Sequence, residues 1–294
     1  MEVSEEFYIN DGKKLAYVRY GGWSDTVILF FHGFWGAARY LPEDAGRECC
    51  VISFDRPGIG RSDLIGKYRM EELFDIITAC LKSHGVRSIR VFGHSAGGYY
   101  AQSFAEYSDP SFVRSLTLLS SLPPMNSRPF DHLLSKSMKN RRFLTLYMKN
   151  PTLVYFLLTA RALSRSSKEI ARRYIEGMSD KEKAFFSDPD NLKMYENVIR
   201  VSAGHKGLGA FYDAISMYRR RDVTLPSGLP VYVWNGSEDP VTTPEMGKFL
   251  SSYYSAREFH LIPKGTHHMY LVHWHEAVKE ALEGDLSLRS GRAF

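Results

Sequence analysis

Three stretches of this chain are apolar almost without interruption: VILFF in VILFFHG (Val27 to Gly33), CCVISF in CCVISFDRPG (Cys49 to Gly58), and the start of IRVFGHS (Ile89 to Ser95). A strand with one face in water alternates polar and apolar residues. A strand that stays apolar must be covered on both faces, as in a parallel sheet flanked by helices. The segments between them fit that arrangement. Met70 to His84 carries Leu73, Phe74, Ile76, Ile77 and Leu81 at helical spacing, with Gly85 as its terminator. AGGYYAQSFAEY reads as a helix directly after Ser95, and VRSLTLLSSL (Val113 to Leu122) as the next strand. Alternating strands and helices predict an α/β fold with a mainly parallel sheet. Ahead of them, EEFYIN and KLAYVRYG flank Asn10-Asp11-Gly12-Lys13, a hairpin signal.

The pattern breaks at Pro123-Pro124. From there to about Asp222 the spacing predicts helices near 130–148, 151–164, 167–177, 180–186, 190–200 and 207–219, with no strand of comparable quality. This segment holds 19 Lys and Arg against 10 Asp and Glu, whereas the whole chain of 294 residues carries only +5. The insert is therefore basic and the remainder slightly acidic, the asymmetry of a solvated face or of a surface for an anionic partner. LPSGLP (Leu225 to Pro230) leads back to the sheet pattern: VYVWNG from Val231, a helix near Pro244 to Ser252, REFHLIP from Arg257, and a closing helix from Val272 to Leu282. The expected organisation is a core of residues 1–122 and 223–294 interrupted by a helical cap, 123–222.

Hydrophobic residues at 44% and charged residues at 24% suit an ordinary globular protein. The three cysteines, Cys49, Cys50 and Cys80, suggest no disulfide framework, and the acidic start MEVSEEFYIN has no signal-peptide pattern. No apolar run reaches the ~18 residues that suggest a membrane span. These features predict a soluble, cytoplasmic protein. The cations of the insert are not interleaved with a nucleic-acid motif, so no nucleic-acid partner is expected. The histidines between 267 and 275 lack the helical i, i+4 pairing of zinc sites, so no metal is expected either.

The chemistry lies at strand ends. Gly93-His94-Ser95-Ala96-Gly97 fits G-x-S-x-G between a strand and a helix, the setting in which a tight turn exposes a nucleophilic serine. The turn also aims the Ala96 N–H and the helix N-terminus at developing negative charge. Phe31-His32-Gly33-Phe34-Trp35-Gly36 follows another strand; in such an architecture Phe34 is expected to lend its backbone N–H as the second oxyanion donor and His32 to brace the loop. Asp55 and Asp63, in DRPGIGRSD, are expected to tie down backbone N–H groups, with no part in the chemistry. After VYVWN, Asp239 in GSEDP is placed to orient an imidazole. In PKGTHHM the base is His267, preferred on its spacing from Pro263 and Leu271, with His268 as the alternative. His273 and His275, on the closing helix, are expected at the surface.

Taken together, HGFWG, DRPGIGRSD, GHSAGG, GSEDP and GTHHM, with the order Ser95, Asp239, His267, resemble the α/β-hydrolase superfamily, closest to its esterase and lipase-like members with large caps. The resemblance implies an eight-stranded, mostly parallel sheet flanked by helices, with the cap inserted after the sixth strand and the active site beneath it. Trp35 and His94 are then expected at the substrate pocket. The resemblance implies acyl chemistry by an acyl-enzyme without cofactor, on a carboxylic ester. A thioesterase, C–C hydrolase or aminopeptidase would use the same residues, and some members of the fold bind ligands without turnover. PTLVYFLLTARAL (Pro151 to Leu163), apolar and rimmed by cations, suits a lid over a lipid-like substrate such as a lysophospholipid or monoacylglycerol, or a transient contact with an anionic membrane surface.

Overall fold

The computed structural model describes residues 2–124, 150, 153, 166–218 and 222–290, with side chains at all of these except 218 and 285–290. The expected helices near 130–148 and 151–164, including the cation-rimmed PTLVYFLLTARAL segment, lie outside the described residues.

Eight strands form one sheet: β1 (Val3–Asn10), β2 (Lys13–Tyr20), β3 (Thr26–Phe31), β4 (Val51–Phe54), β5 (Ser88–His94), β6 (Val113–Leu119), β7 (Val231–Gly236) and β8 (Glu258–Ile262). Their spatial order is β1-β2-β4-β3-β5-β6-β7-β8. β2 is antiparallel to both of its neighbours and all other pairs are parallel. β1 and β2 form the expected hairpin, with Asp11 and Gly12 at φ 50° and 73° as a two-residue primed turn requires.

The uninterrupted apolar runs have the expected explanation, because side chains alternate across a sheet buried on both sides. On β3, Val27, Leu29 and Phe31 face one core, with Phe74 and Ile77 of helix α1 (Met70–Ser83) and Tyr100 and Phe104 of helix α2 (Ala96–Tyr107). Ile28 and Phe30 face the other core with Trp274, which opens the closing helix (Trp274–Ser290). The Trp274 ring meets Phe30 and Phe92 at 5.5 Å each, and its indole N–H donates to the Ala45 carbonyl at 2.9 Å. Burying such aromatics gives the largest hydrophobic contributions available to single side chains.

Between β6 and β7 the regular elements among the described residues are all helical: Ser167–Glu176, Asp180–Phe185, Pro189–Ser202 and Leu208–Tyr218, joined in part by a short 3-10 turn at His205–Gly207. The first two start with Ser-x-x-Glu capping boxes, at Ser166/Glu169 and Ser179/Glu182. The helix Pro244–Tyr253 follows β7. None of the helices among the described residues is long and apolar enough to cross a membrane. Cys49, Cys50 and Cys80 are free thiols.

The helix Leu208–Tyr218 touches the core backbone to backbone. A Cβ on Gly209 would fall on the carbonyl of Gly58, and a Cβ on Gly58, itself at φ +75°, would meet the Gly209 Cα at 2.7 Å. Gly209→Ala is therefore expected to destabilise the protein by about 1–3 kcal/mol through overpacking. Helix propensity alone favours Ala by about 1 kcal/mol. Urea unfolding of the two proteins measures which effect prevails.

Candidate active site

Ser95 sits between β5 and α2 with φ 54° and ψ −123°, outside the regions an L-residue normally occupies. Its N–H lies 3.1 Å from the Leu119 carbonyl and 3.0 Å from that of Ser120, at the end of β6, while its own carbonyl accepts from Gly98 at 3.0 Å and Leu122 at 2.9 Å. The following turn is crowded: a Cβ on Gly97 would fall on the carbonyl oxygens of Phe31 and His32, which is why the motif needs glycine there. The result projects Oγ away from the backbone, at the N-terminus of a helix.

His267 reaches that oxygen, with Nε2 3.0 Å from Ser95 Oγ. Its other nitrogen, Nδ1, lies 2.9 Å and 3.1 Å from the two carboxylate oxygens of Asp239. His267 comes from the loop after β8, Asp239 from the loop after β7 and Ser95 from the end of β5, so all three meet at the C-terminal edge of the parallel strands.

Asp239 is 3% exposed and richly bonded: Oδ1 accepts from the Val241 N–H at 2.8 Å and the Thr242 N–H at 2.9 Å. Burial pushes its carboxyl pKa upwards, but the facing His267 and the hydrogen bonds from His267, Thr242 and Val241 outweigh it and hold the carboxyl below its ordinary 3.8. Thr242, which the sequence reading did not single out, places its hydroxyl 2.7 Å from Asp239 Oδ2, 2.9 Å from the Ser120 carbonyl and 3.2 Å from His267 Nδ1. It follows Asp239 by three residues, and only the tight turn of this loop brings it back.

His268, the alternative base, faces away from Ser95. It lies in a buried cluster, its Nε2 3.3 Å from the Tyr195 hydroxyl and its ring 5.7 Å from those of Tyr40 and Tyr195. Burial, then the neighbouring His267, pushes its pKa down to about 3. His94, expected at the substrate pocket, is only 2% exposed and turns inward instead. Its Nε2 lies 2.9 Å from the His267 carbonyl and its ring packs at a tilt 4.2 Å from that of Tyr270, so it supports the histidine loop from behind. Burial, then His267 and His268, holds its pKa well below the usual 6.5. His273 and His275 are half-buried rather than free at the surface: His273 pairs with Glu276, and His275 with Asp44 and Glu48.

The loop expected to supply the second oxyanion donor lies against Ser95: a Cβ on Gly33 would sit 3.1 Å from Ser95 Cβ. Among the described residues, neither the Phe34 nor the Ala96 N–H donates to a backbone carbonyl. Trp35 follows at φ 57°, its ring 5.7 Å from that of Phe34. No group of three or more potential metal ligands occurs among the described residues. A separate groove of about 540 Å3 runs beside β8 and the closing helix. It contains none of Ser95, Asp239 or His267, and its Trp234 and His260 are both bonded to Glu280.

The insert braces the histidine loop as well. Glu182, 2% exposed, accepts from Thr266 N–H at 3.2 Å and Thr266 Oγ1 at 2.8 Å, immediately before His267. Asp55 and Asp63 act as the sequence suggests, with Asp55 accepting from Ala38 and Arg61 N–H and Asp63 from Lys14 N–H.

Burial keeps His32, His94 and His268 from protonating in the folded state, whereas the unfolded chain protonates them near their ordinary 6.5. The unfolded state therefore binds more protons below pH 6.5, and stability falls as pH drops, by about 1.4 kcal/mol per pH unit for each histidine. Asp55, pushed up by burial to about 6, opposes this between its ordinary 3.8 and that value. His268→Asn is expected to flatten the decline in melting temperature between pH 6.5 and about 3, measured by thermal unfolding across that window.

No curated protein matches the sequence. Similar solved structures include Est816, described as an N-acyl homoserine lactone degrading enzyme, with 21% identity, 95% of this chain and 99% of that one covered, and a TM-score of 0.62. A thermophilic esterase from Thermogutta terrifontis shares 21% identity over 99% of each chain at 0.60. The enol-lactonase from Burkholderia xenovorans LB400 shares 17% over 95% of this chain and 98% of that one at 0.63. At these identities the likeness shows a shared fold. The model of the alpha/beta hydrolase fold family matches residues 26–273, and the chain belongs to that family.

Proposed function

We propose that this protein is a serine hydrolase that cleaves a carboxylic ester through an acyl-enzyme, with Ser95 as nucleophile, His267 as general base and acid, and Asp239 as the group that orients the imidazole. The observation that carries this reading is the unbroken relay from Ser95 Oγ through both nitrogens of His267 to the buried Asp239 carboxylate, at 3.0 Å and 2.9 Å. An oxygen ester is put forward because similar structures are named for esterase or lactonase activity.

In this reaction Oγ attacks the acyl carbon as its proton passes to His267 Nε2. The carbonyl electron pair moves to oxygen, where the Phe34 and Ala96 N–H groups and the N-terminus of α2 stabilise the charge. Collapse expels the alkoxide, which takes the proton from His267 and leaves an ester on Ser95. Water then attacks that ester, giving its proton to His267, and the second collapse returns the proton to Oγ with release of the acid. Asp239 stays ionised and favours the imidazolium formed in each half.

Residues 123–222 act in this scheme as a helical cap over the 1–122 and 223–294 core. The apolar, cation-rimmed PTLVYFLLTARAL segment suits a medium to long acyl chain, as in a monoacylglycerol or lysophospholipid, and a passing contact with an anionic lipid surface. A cytoplasmic setting agrees with three free thiols.

A fluorophosphonate probe should label the wild type but not Ser95→Ala, and p-nitrophenyl esters should be turned over best at medium or long chain length. Asp239→Asn is expected to lower kcat by roughly 10³–10⁴-fold. His267→Ala should abolish acylation, while His268→Ala, which removes only a buried neighbour, should leave most of it. Preference for acetyl esters would refute the lipid-like substrate, and a folded wild type that resists the probe would refute the hydrolase.

A further inference from the structure

Arg56 is the arginine of DRPGIGRSD, for which the sequence suggests no part in the chemistry. It is 1% exposed, yet its guanidinium is fully engaged. Nε and Nη2 donate to the two oxygens of Asp213 at 2.7 Å and 2.8 Å, a bidentate pair with the helix Leu208–Tyr218. On its far side, Nη1 donates to the His32 carbonyl at 2.6 Å and Nη2 to the Gly33 carbonyl at 3.1 Å. The Tyr68 and Tyr100 hydroxyls donate to the same Asp213 oxygen at 3.1 Å and 2.6 Å, and the guanidinium lies 4.7 Å over the Tyr100 ring.

The Gly33 carbonyl and the Phe34 N–H belong to one planar peptide group and point in opposite directions. Whatever fixes the carbonyl therefore aims the N–H. Three donors converge on that carbonyl: the Gly36 N–H at 3.1 Å, His32 Nδ1 at 2.9 Å in its Nδ1-protonated tautomer, and Arg56 Nη2. Only Arg56 brings a full positive charge. A cation on the carbonyl side draws electron density through the amide and makes the N–H on the other side a stronger donor. Gly33 lies against Ser95, and Trp35 two residues on holds φ 57°, a conformation an L-residue rarely keeps without support from its surroundings.

We propose that Arg56 is the positioning residue of the oxyanion hole: it holds and polarises the Gly33–Phe34 peptide, and Asp213 of the insert holds Arg56 in turn. The proposal rests on the serine-hydrolase reading above. It means that the insert helix contributes to stabilising the transition state without touching the substrate. Separating the pair would leave a buried charge without a partner, so Asp213 and the two tyrosines are as much part of the device as the arginine.

The test is Arg56→Lys, which keeps a charge opposite Asp213 but cannot reach both oxygens and both carbonyls at once. On p-nitrophenyl esters, kcat should fall about 10²-fold, the scale of losing one oxyanion donor, with KM changed little. The affinity of a boronic acid that forms a tetrahedral adduct on Ser95 should fall by about the same factor as kcat/KM, because both sense the oxyanion. Asp213→Asn, which preserves shape, should move both quantities in the same direction and serves where Arg56→Lys fails to fold. In a 15N-labelled protein the Phe34 amide resonance should shift in either variant. A kcat within about threefold of wild type with boronate affinity retained, in a folded variant, would overturn the proposal and leave Arg56 a packing group. If the wild type itself neither reacts with a fluorophosphonate nor cleaves esters, the hydrolase reading fails. The Phe34 resonance then decides the Arg56 claim alone: movement supports it, and an unmoved signal rejects it.

Discussion

The backbone of Ser95, at φ 54° and ψ −123°, costs on the order of 1–3 kcal/mol relative to an ordinary conformation, and much of the surrounding structure exists to keep it there. β6 must lie beside β5 so that its last carbonyls receive the serine N–H. Helix α2 must begin at once, which brings Gly97 against the end of β3 and excludes any side chain at that point. With that junction fixed, the parallel run β5-β6-β7-β8 places the loops after β7 and β8 on the same edge as the serine. The carboxylate and the imidazole then need to come only from those two loops.

Electrostatics chooses among the histidines packed there. Three imidazoles crowd together, with His94 4.7 Å and His268 5.5 Å from His267, ring to ring. Burial drives His94 and His268 to the neutral form, so neither presents a like charge when a proton arrives on their neighbour. His267 alone of the three faces a carboxylate, and that carboxylate is held below its ordinary range, against its burial, by His267 first and then by the hydrogen bonds of its own loop. The division follows from position: His267 points across the strand ends, whereas His268 points back into the Tyr40 and Tyr195 cluster.

Much of this was legible in the sequence, because it is written locally. Uninterrupted apolar runs identify strands buried on both faces, Asp11-Gly12 gives a primed turn, and Gly93 to Gly97 can adopt the tight junction only with glycine where carbonyls crowd. The features that escaped sequence reasoning depend on partners far along the chain. Arg56 meets Asp213 across 157 residues and Glu182 meets Thr266 across 84, and no periodicity or turn signal links such positions. Glu182 is legible as the end of a capping box, and that role hides the second one, since the same carboxylate serves both Ser179 and Thr266. His94 escaped for a related reason: it adjoins Ser95 in sequence, but its burial comes from His267 and Tyr270, more than 170 residues further along.

The contact of Gly58 with Gly209 has a bearing on how such chains diversify. Two backbones that touch leave no side chain to trim or enlarge, so the joint cannot be adjusted by small substitutions on either partner. The bidentate pair of Arg56 and Asp213, formed one turn further along the same helix, is equally intolerant of a shifted partner. Residues 208–218 thus inherit the constraints of the sheet although they lie within the segment that interrupts it. The boundary drawn by chain order and the boundary drawn by packing therefore differ: the last helix before β7 is fixed to the sheet by contacts on its own backbone.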